Sequence, residues 1–267
     1  MAFWRKNLAF SELAIVTNLE YRFNFIIDAF VQPAITVMIE LLLWLAVFKS
    51  TQALEIGGFS KEHYMAYAIW APFIGRITIS WMYESMMIEE VASGSINVIL
   101  TRPISFYEYY LSQLMGYKIV TTALSLIMPL AASVYFDLPV DYSKLPLAMA
   151  LVVYYLFLVH TLSFIISTFA FFLTRVRSLT LVKNLSLFLL AGELVPIDLM
   201  PPLLAKTLLI LPFSAGVYVP VAYITGRVGI ETLANSFMSI SFCILIFCYL
   251  GNILWHRGLR IYTGTGA

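Results

Sequence analysis

Charged residues are scarce in this sequence. They make up 12% of the 267 residues, and apolar residues make up 61%, whereas soluble domains carry about 25% and about 45–50%. No soluble core of this size can hide that excess, so a water-soluble fold is excluded. Net charge is +1, which gives nucleic acid nothing to grip electrostatically. No GxxxxGK[ST] stretch occurs, so the chain has no P-loop to cradle a nucleotide phosphate. His63, His160 and His256 sit on separate segments, with no HExxH pair and no Cys/His cluster to hold a metal. Ser93-Gly94-Ser95 looks like a nucleophile turn, but no histidine is placed to activate either serine. Cys243 and Cys248 point to different faces of one apolar segment and read as small buried side chains. A secretory signal is missing as well, because Glu12, Glu20 and Arg22 interrupt the early apolar stretches.

What is present is a succession of long apolar segments. Crossing about 30 Å of hydrocarbon takes roughly 20 such residues, and six segments read as spans: 24–48, 63–88, 110–136, 145–173, the shorter 179–191, and 233–255. Ser60 is placed to cap the second. Residues 1–22, with Trp4, Leu8, Ile15 and Leu19 at helical spacing, suit a helix lying in the interface. An even number of spans puts both termini on one side. That side holds Arg5, Lys6, Arg22, Arg102, Arg175, Arg177, Lys183, Arg257 and Arg260, nine cations against the five of the other, Lys49, Lys61, Lys144, Lys206 and Arg227. The positive-inside rule then places both termini in the cytoplasm.

Two stretches are not simple connections. In the link 89–103, Glu89 and Glu90 end the second span, Gly94 breaks the helix, and Ser95 is placed to cap a short helix from Ile96 through Leu100 to Thr101. Arg102-Pro103 stops it, and Ser105 with Glu108 forms a capping box for the next helix. Its apolar face needs cover, from lipid headgroups or from a groove on a cytoplasmic partner. The stretch 193–226 is too apolar for a solvated loop, yet Pro196, Pro201, Pro202, Pro212 and Pro220 cut it into pieces too short to span. Irregular backbone at membrane depth survives only inside protein or along a cavity. A pair of re-entrant helices dipping in from outside fits, able to gate a pathway; the alternative is a fifth span running past Pro196 into an outer amphipathic helix.

Asp28, Glu40, Arg76, Glu84 and Lys118 fall within or near the spans. Such residues pair or line a polar path. Glu40 and Arg76 lie at similar depth and are expected to pair, while Glu84 and Lys118 sit near enough to the cytoplasmic end to snorkel.

Taken in order, EYRFNF at 20–25, GGFSKEHYMAY at 57–67, ASGSINVILTRPISFYEYYLSQ at 92–113 and LPFSAGVYVPVAYITG at 211–226 resemble the ABC-2 type transporter permeases, in particular a bacterial branch that includes viologen exporters. The near-neutral link with Glu89 and Glu90 departs from the more basic link of many relatives. The resemblance implies an all-α integral membrane fold with a single transmembrane permease domain over 1–267. It implies two six-helix halves, identical or sister chains, each resting on a cytoplasmic ABC ATPase subunit that holds ATP and Mg. The short helix would be the coupling helix, with Glu89, Glu90, Gly94, Ser95, Ile96, Leu100, Arg102 and Pro103 at the ATPase groove, and the five prolines would shape an outer gate. The chain itself would not be an enzyme. Export and a bacterial inner membrane are implied by the same resemblance. An ATP-independent secondary transporter or channel is the rival reading, although halves 1–140 and 141–267 show no internal repeat.

Overall fold

The computed structural model describes residues 10–12, 15–16 and 27–262, and gives no side-chain placement for Asp28. The interfacial helix expected over 1–22 and the motif at 20–25 therefore lie largely outside the described residues; residues 10–12 and 15–16 are helical.

A π-helical turn, Ile27–Val31, leads into α1, Gln32–Thr51. Pro33 opens α1 where its missing N–H costs nothing. The helix buries one stripe, Pro33, Glu40, Trp44 and Phe48, against α2, and leaves the rest of its apolar surface outward. A short hairpin follows, β1 Glu55–Ile56 with β2 Phe59–Ser60. Its two-residue turn, Gly57-Gly58, has positive φ at both positions, the requirement of a type I′ turn.

The stretch expected as a single second span is two helices, α2 Lys61–Thr78 and α3 Trp81–Ser93. Ile79 is extended and breaks the helical hydrogen bonding. The break leaves the Arg76 carbonyl without a helical donor, and the Lys118 ammonium donates to it at 3.0 Å. Thr78 Oγ1 adds a bond to the Gly75 carbonyl at 2.9 Å. Ser60 takes the N-cap position of α2, but its hydroxyl bonds Glu62 and His63 side chains at 2.6 and 3.1 Å instead of a backbone amide.

The remaining helices are α4 Asn97–Leu100, α5 Phe106–Ser125, α6 Ile127–Tyr135, α7 Leu145–Thr168, α8 Arg177–Leu190, α9 Pro202–Ile210, α10 Tyr218–Ile224 and α11 Ile230–Ile261. Among the described residues, four helical runs are long and apolar enough to cross a membrane: Ala29–Thr51, Phe106–Tyr135, Tyr142–Phe171 and Ile230–Ile261. The α2–α3 pair and α8, with its 14 residues, are outside that set. The chain is thus an all-α, multi-pass membrane protein.

α7 is the centre of the packing, in contact with α2, α3, α10 and α11. The core it anchors includes Trp70, Leu151, Tyr155, Leu158, Val219 and Ile240. All seven residues of α10 are buried. No α8 residue is buried as a whole, although its Lys183 side chain is, and α11 buries only Leu233, Ser236, Ile240, Gly251 and Gly258. Those two helices and α1 therefore present their apolar flanks outward.

Candidate functional site

The α3–α5 link begins where Gly94 adopts φ 81, a left-handed cap that a residue with Cβ resists. The chain turns back so that the Ile96 amide meets the Glu90 carbonyl at 3.1 Å, and one helical turn, α4, follows. Ser95 does not cap it. The Ser95 hydroxyl lies 2.9 Å from that of Ser93 instead. Ile96 and Ile99 face inward onto Met87, Phe106, Tyr110 and Leu114. Val98 and Leu100 face outward, 57% and 42% exposed, alongside exposed Glu89, Arg102 and Pro103; Glu90 is half-buried. The capping box is formed in full: the Glu108 amide donates to Ser105 Oγ at 3.2 Å, and the Ser105 amide to Glu108 Oε2 at 3.1 Å.

A row of polar groups runs through the apolar core on either side of the α2–α3 break. Glu84 of α3 pairs with Lys183 of α8, their side chains 0% and 8% exposed. Ser163 of α7 donates to Glu84 at 2.6 Å, lies 3.0 Å from Lys183 Nζ and 3.0 Å from the Ser80 hydroxyl at the break itself. Three helices thus share one closed network, and neither Glu84 nor Lys118 snorkels. Both are buried, because partners within the protein meet their hydrogen-bonding needs more cheaply than a stretched path to the interface. Lys183, counted above among the basic residues of one membrane face, belongs to this interior as well.

The Glu40–Arg76 pair is not formed. Neither carboxylate oxygen of buried Glu40 has a hydrogen-bond partner among the described residues, and the charge acting on it is that of Glu193. Arg76 instead lies in the field of Glu193 and Tyr117. Glu193 packs so closely on Gly75 that any Cβ there would strike its carboxylate. Between the break, α7 and α8 lies a cavity of about 230 Å³ lined by Ser80, Trp81, Tyr155, Asn184, Phe188 and Glu193.

The 193–226 stretch is built of short pieces whose ends are prolines. Pro196 precedes the turn Ile197–Leu199, Pro201-Pro202 open α9, Pro212 opens the turn Pro212–Gly216, and Pro220 lies in the first turn of α10, where it is tolerated. Tyr67 of α2 donates to the Gly192 carbonyl at 2.6 Å at the start of the stretch. Its end is fixed by Arg227, whose guanidinium lies 4.3, 4.5 and 5.4 Å from the rings of Phe59, Tyr64 and Tyr67 and bonds Asp198 at 3.1 Å. Tyr218 donates to the other Asp198 oxygen.

Sequence reading missed Lys183, Ser163 and Arg227. Lys183 had a signal, a lone cation inside a segment otherwise read as a span. Arg227 had none, since its aromatic partners lie on another element.

No curated protein matches the chain. The sequence profile described as ABC-2 family transporter protein matches residues 34–266, from the first turn of α1 through all the elements above. The apolar helices, the buried ion pair and that match over most of the length lead to one conclusion: the chain belongs to the ABC-2 family of transporter proteins, as a membrane-embedded transport component.

Proposed function

We propose that this chain is the permease half of an ATP-driven exporter, with six membrane crossings and both ends in the cytoplasm. The α2–α3 pair and α8 supply the two crossings beyond the four long apolar helices, since buried ion pairing offsets what they lack in hydropathy. Removing buried Lys183 and Arg227 from the count of basic residues leaves eight against four, so the bias toward cytoplasmic termini stands. The 193–226 stretch is the outer gate, entering the membrane without crossing it. Two such halves, identical or sister chains, face each other in a bacterial inner membrane, and outward-facing α1 and α8 suit that contact.

The observation that carries this reading is α4. A single helical turn, fixed on its inner face by Ile96 and Ile99 and offering Val98 and Leu100 outward between Glu89 and Arg102, suits a groove on a soluble partner. That partner is an ABC ATPase subunit holding ATP and Mg, because this sequence has no P-loop of its own. ATP binds one state of the assembly better than the other and shifts the population between them.

The test is to purify the chain with its ATPase subunit and to compare Leu100→Asp and Gly94→Pro with the unmutated complex. Leu100→Asp places a charge in the docking face, and Gly94→Pro forbids the left-handed cap. Both should insert in the membrane yet lose bound ATPase subunit or its coupled activity. Normal co-purification and activity in both variants would remove α4 from the contact.

A further inference from the structure

The last helix does more than line the bundle. α11 runs unbroken for 32 residues, about 48 Å at 1.5 Å per residue, and its two ends meet the two irregular parts of the molecule. Near its start it packs on α9 and on the turn Pro212–Gly216, and Ser239 donates to the Ile210 carbonyl at 2.7 Å. At its end the Tyr262 hydroxyl lies 2.9 Å from the Gly94 carbonyl and 3.1 Å from Asn97 Oδ1. Those two acceptors belong to the left-handed cap and the first residue of α4.

The end of α11 is also seated firmly. Trp255 stacks on Phe106 with ring centroids 5.0 Å apart, and Tyr262 meets Phe171 edge-on at 5.9 Å. Gly258 lies flush against the Phe171 ring, leaving no room for a Cβ. A continuous helix transmits displacement along its axis, whereas the α2–α3 path between the same two regions is interrupted at Ile79.

We infer that Tyr262 is a positioning residue for the coupling step: through it, α11 holds the Gly94–α4 turn in register and ties its movement to that of the 193–226 stretch. This rests on the reading of α4 as the ATPase-facing helix. The hydroxyl is the specific element, since the ring alone supplies the packing on Phe171. In Tyr262→Phe the helix end stays seated while the turn loses its tie.

The experiment uses the chain with its ATPase subunit in lipid vesicles. Cys243 and Cys248 are replaced by alanine, and Leu203→Cys on α9, at a position 81% exposed, reports the 193–226 stretch by its maleimide labelling rate. In the Tyr262 protein, ATP with vanadate should change that rate. In Tyr262→Phe the change should shrink roughly two- to tenfold, the range over which one hydrogen bond of about 0.5–1.5 kcal/mol shifts a two-state population, while ATP hydrolysis continues. An undiminished labelling response in Tyr262→Phe overturns the inference and leaves α4 as the coupling helix. Parallel loss of hydrolysis, response and monodisperse protein also overturns it, by reducing Tyr262 to a fold requirement. No nucleotide response even with Tyr262 present overturns the coupling reading itself. A second measurement needs no partner: amide exchange over residues 96–101 should rise roughly two- to tenfold in Tyr262→Phe, and unchanged exchange removes the tie.

Discussion

Replacing Lys183 with methionine is the sharpest perturbation of the buried network. Methionine keeps the length and apolar stem of the side chain and removes only the ammonium. Glu84, whose side chain is wholly buried, then keeps one direct donor, Ser163 at 2.6 Å, where it had two. Breaking a buried ion pair from one side costs about 3–5 kcal/mol, because the surviving charge is left uncompensated. For a chain of this size each kcal/mol moves the thermal midpoint by about 2–4 °C, so the midpoint should fall by about 6–20 °C. Glu84→Gln should cost less than Lys183→Met, since the amide still accepts from Ser163. The double variant Glu84→Gln/Lys183→Met should recover part of the loss, with a coupling energy of about 0.5–3 kcal/mol. Thermal unfolding in detergent, followed by the loss of the monodisperse peak on size exclusion, reads all three. A drop smaller than about 2 °C for Lys183→Met, or strictly additive losses, would refute the network as a stabilising unit.

Arg227→Lys should destabilise almost as much as Arg227→Ala, by about 2–4 kcal/mol, because a compact ammonium cannot cover three rings and reach Asp198 together; limited proteolysis within 193–226 should accelerate in both. Glu40→Gln should leave the thermal midpoint unchanged or raise it by up to about 4 °C, since a buried carboxyl without a partner gains nothing from ionising. A clear drop would mean that Glu40 has an ionic partner. Asp141, between α6 and α7, is exposed, and its carboxyl is held below the usual carboxylate range chiefly by the Ser143 hydroxyl at 2.6 Å. A lowered value stabilises the folded turn above the ordinary pKa of about 4. That contribution is lost as pH falls through the lower folded value. Protection of the Ser143 amide, measured against the intrinsic exchange rate at each pH, should therefore fall on acidification below about pH 4, and that fall should be absent in Asp141→Asn.

Features set by neighbours in sequence were legible. Gly94, Pro103 and the Ser105/Glu108 capping box announced the α3–α5 link, and the prolines from Pro196 to Pro220 announced the fragmented stretch, because each acts on its own backbone. Gly57-Gly58 carried the signal of a tight hairpin in plain view. What stayed illegible depends on groups far along the chain. Nothing at Ile79 or Ser80 forbids helix; the break is tolerable because Lys118 arrives from α5 to take the Arg76 carbonyl. Glu84 and Lys118 looked like snorkelling residues because sequence gives depth but no azimuth, and azimuth decides whether a side chain meets a partner or lipid.

The interrupted second helix also bears on how the chain is made. A translocon tests each segment as it emerges, and a lone Arg or Lys near mid-helix weighs about 2.5–3.5 kcal/mol against release into lipid. The α2–α3 pair presents Arg76, Glu84 and a freed carbonyl at that moment. The ammonium that takes the Arg76 carbonyl is synthesised 42 residues later, and the cation for Glu84 99 residues after its partner. In the proposed six-crossing arrangement, the pair meets these partners only after α5 and then α8 have followed. In that proposed arrangement its residence in the bilayer is settled last, by assembly of the bundle and not by its own hydrophobicity.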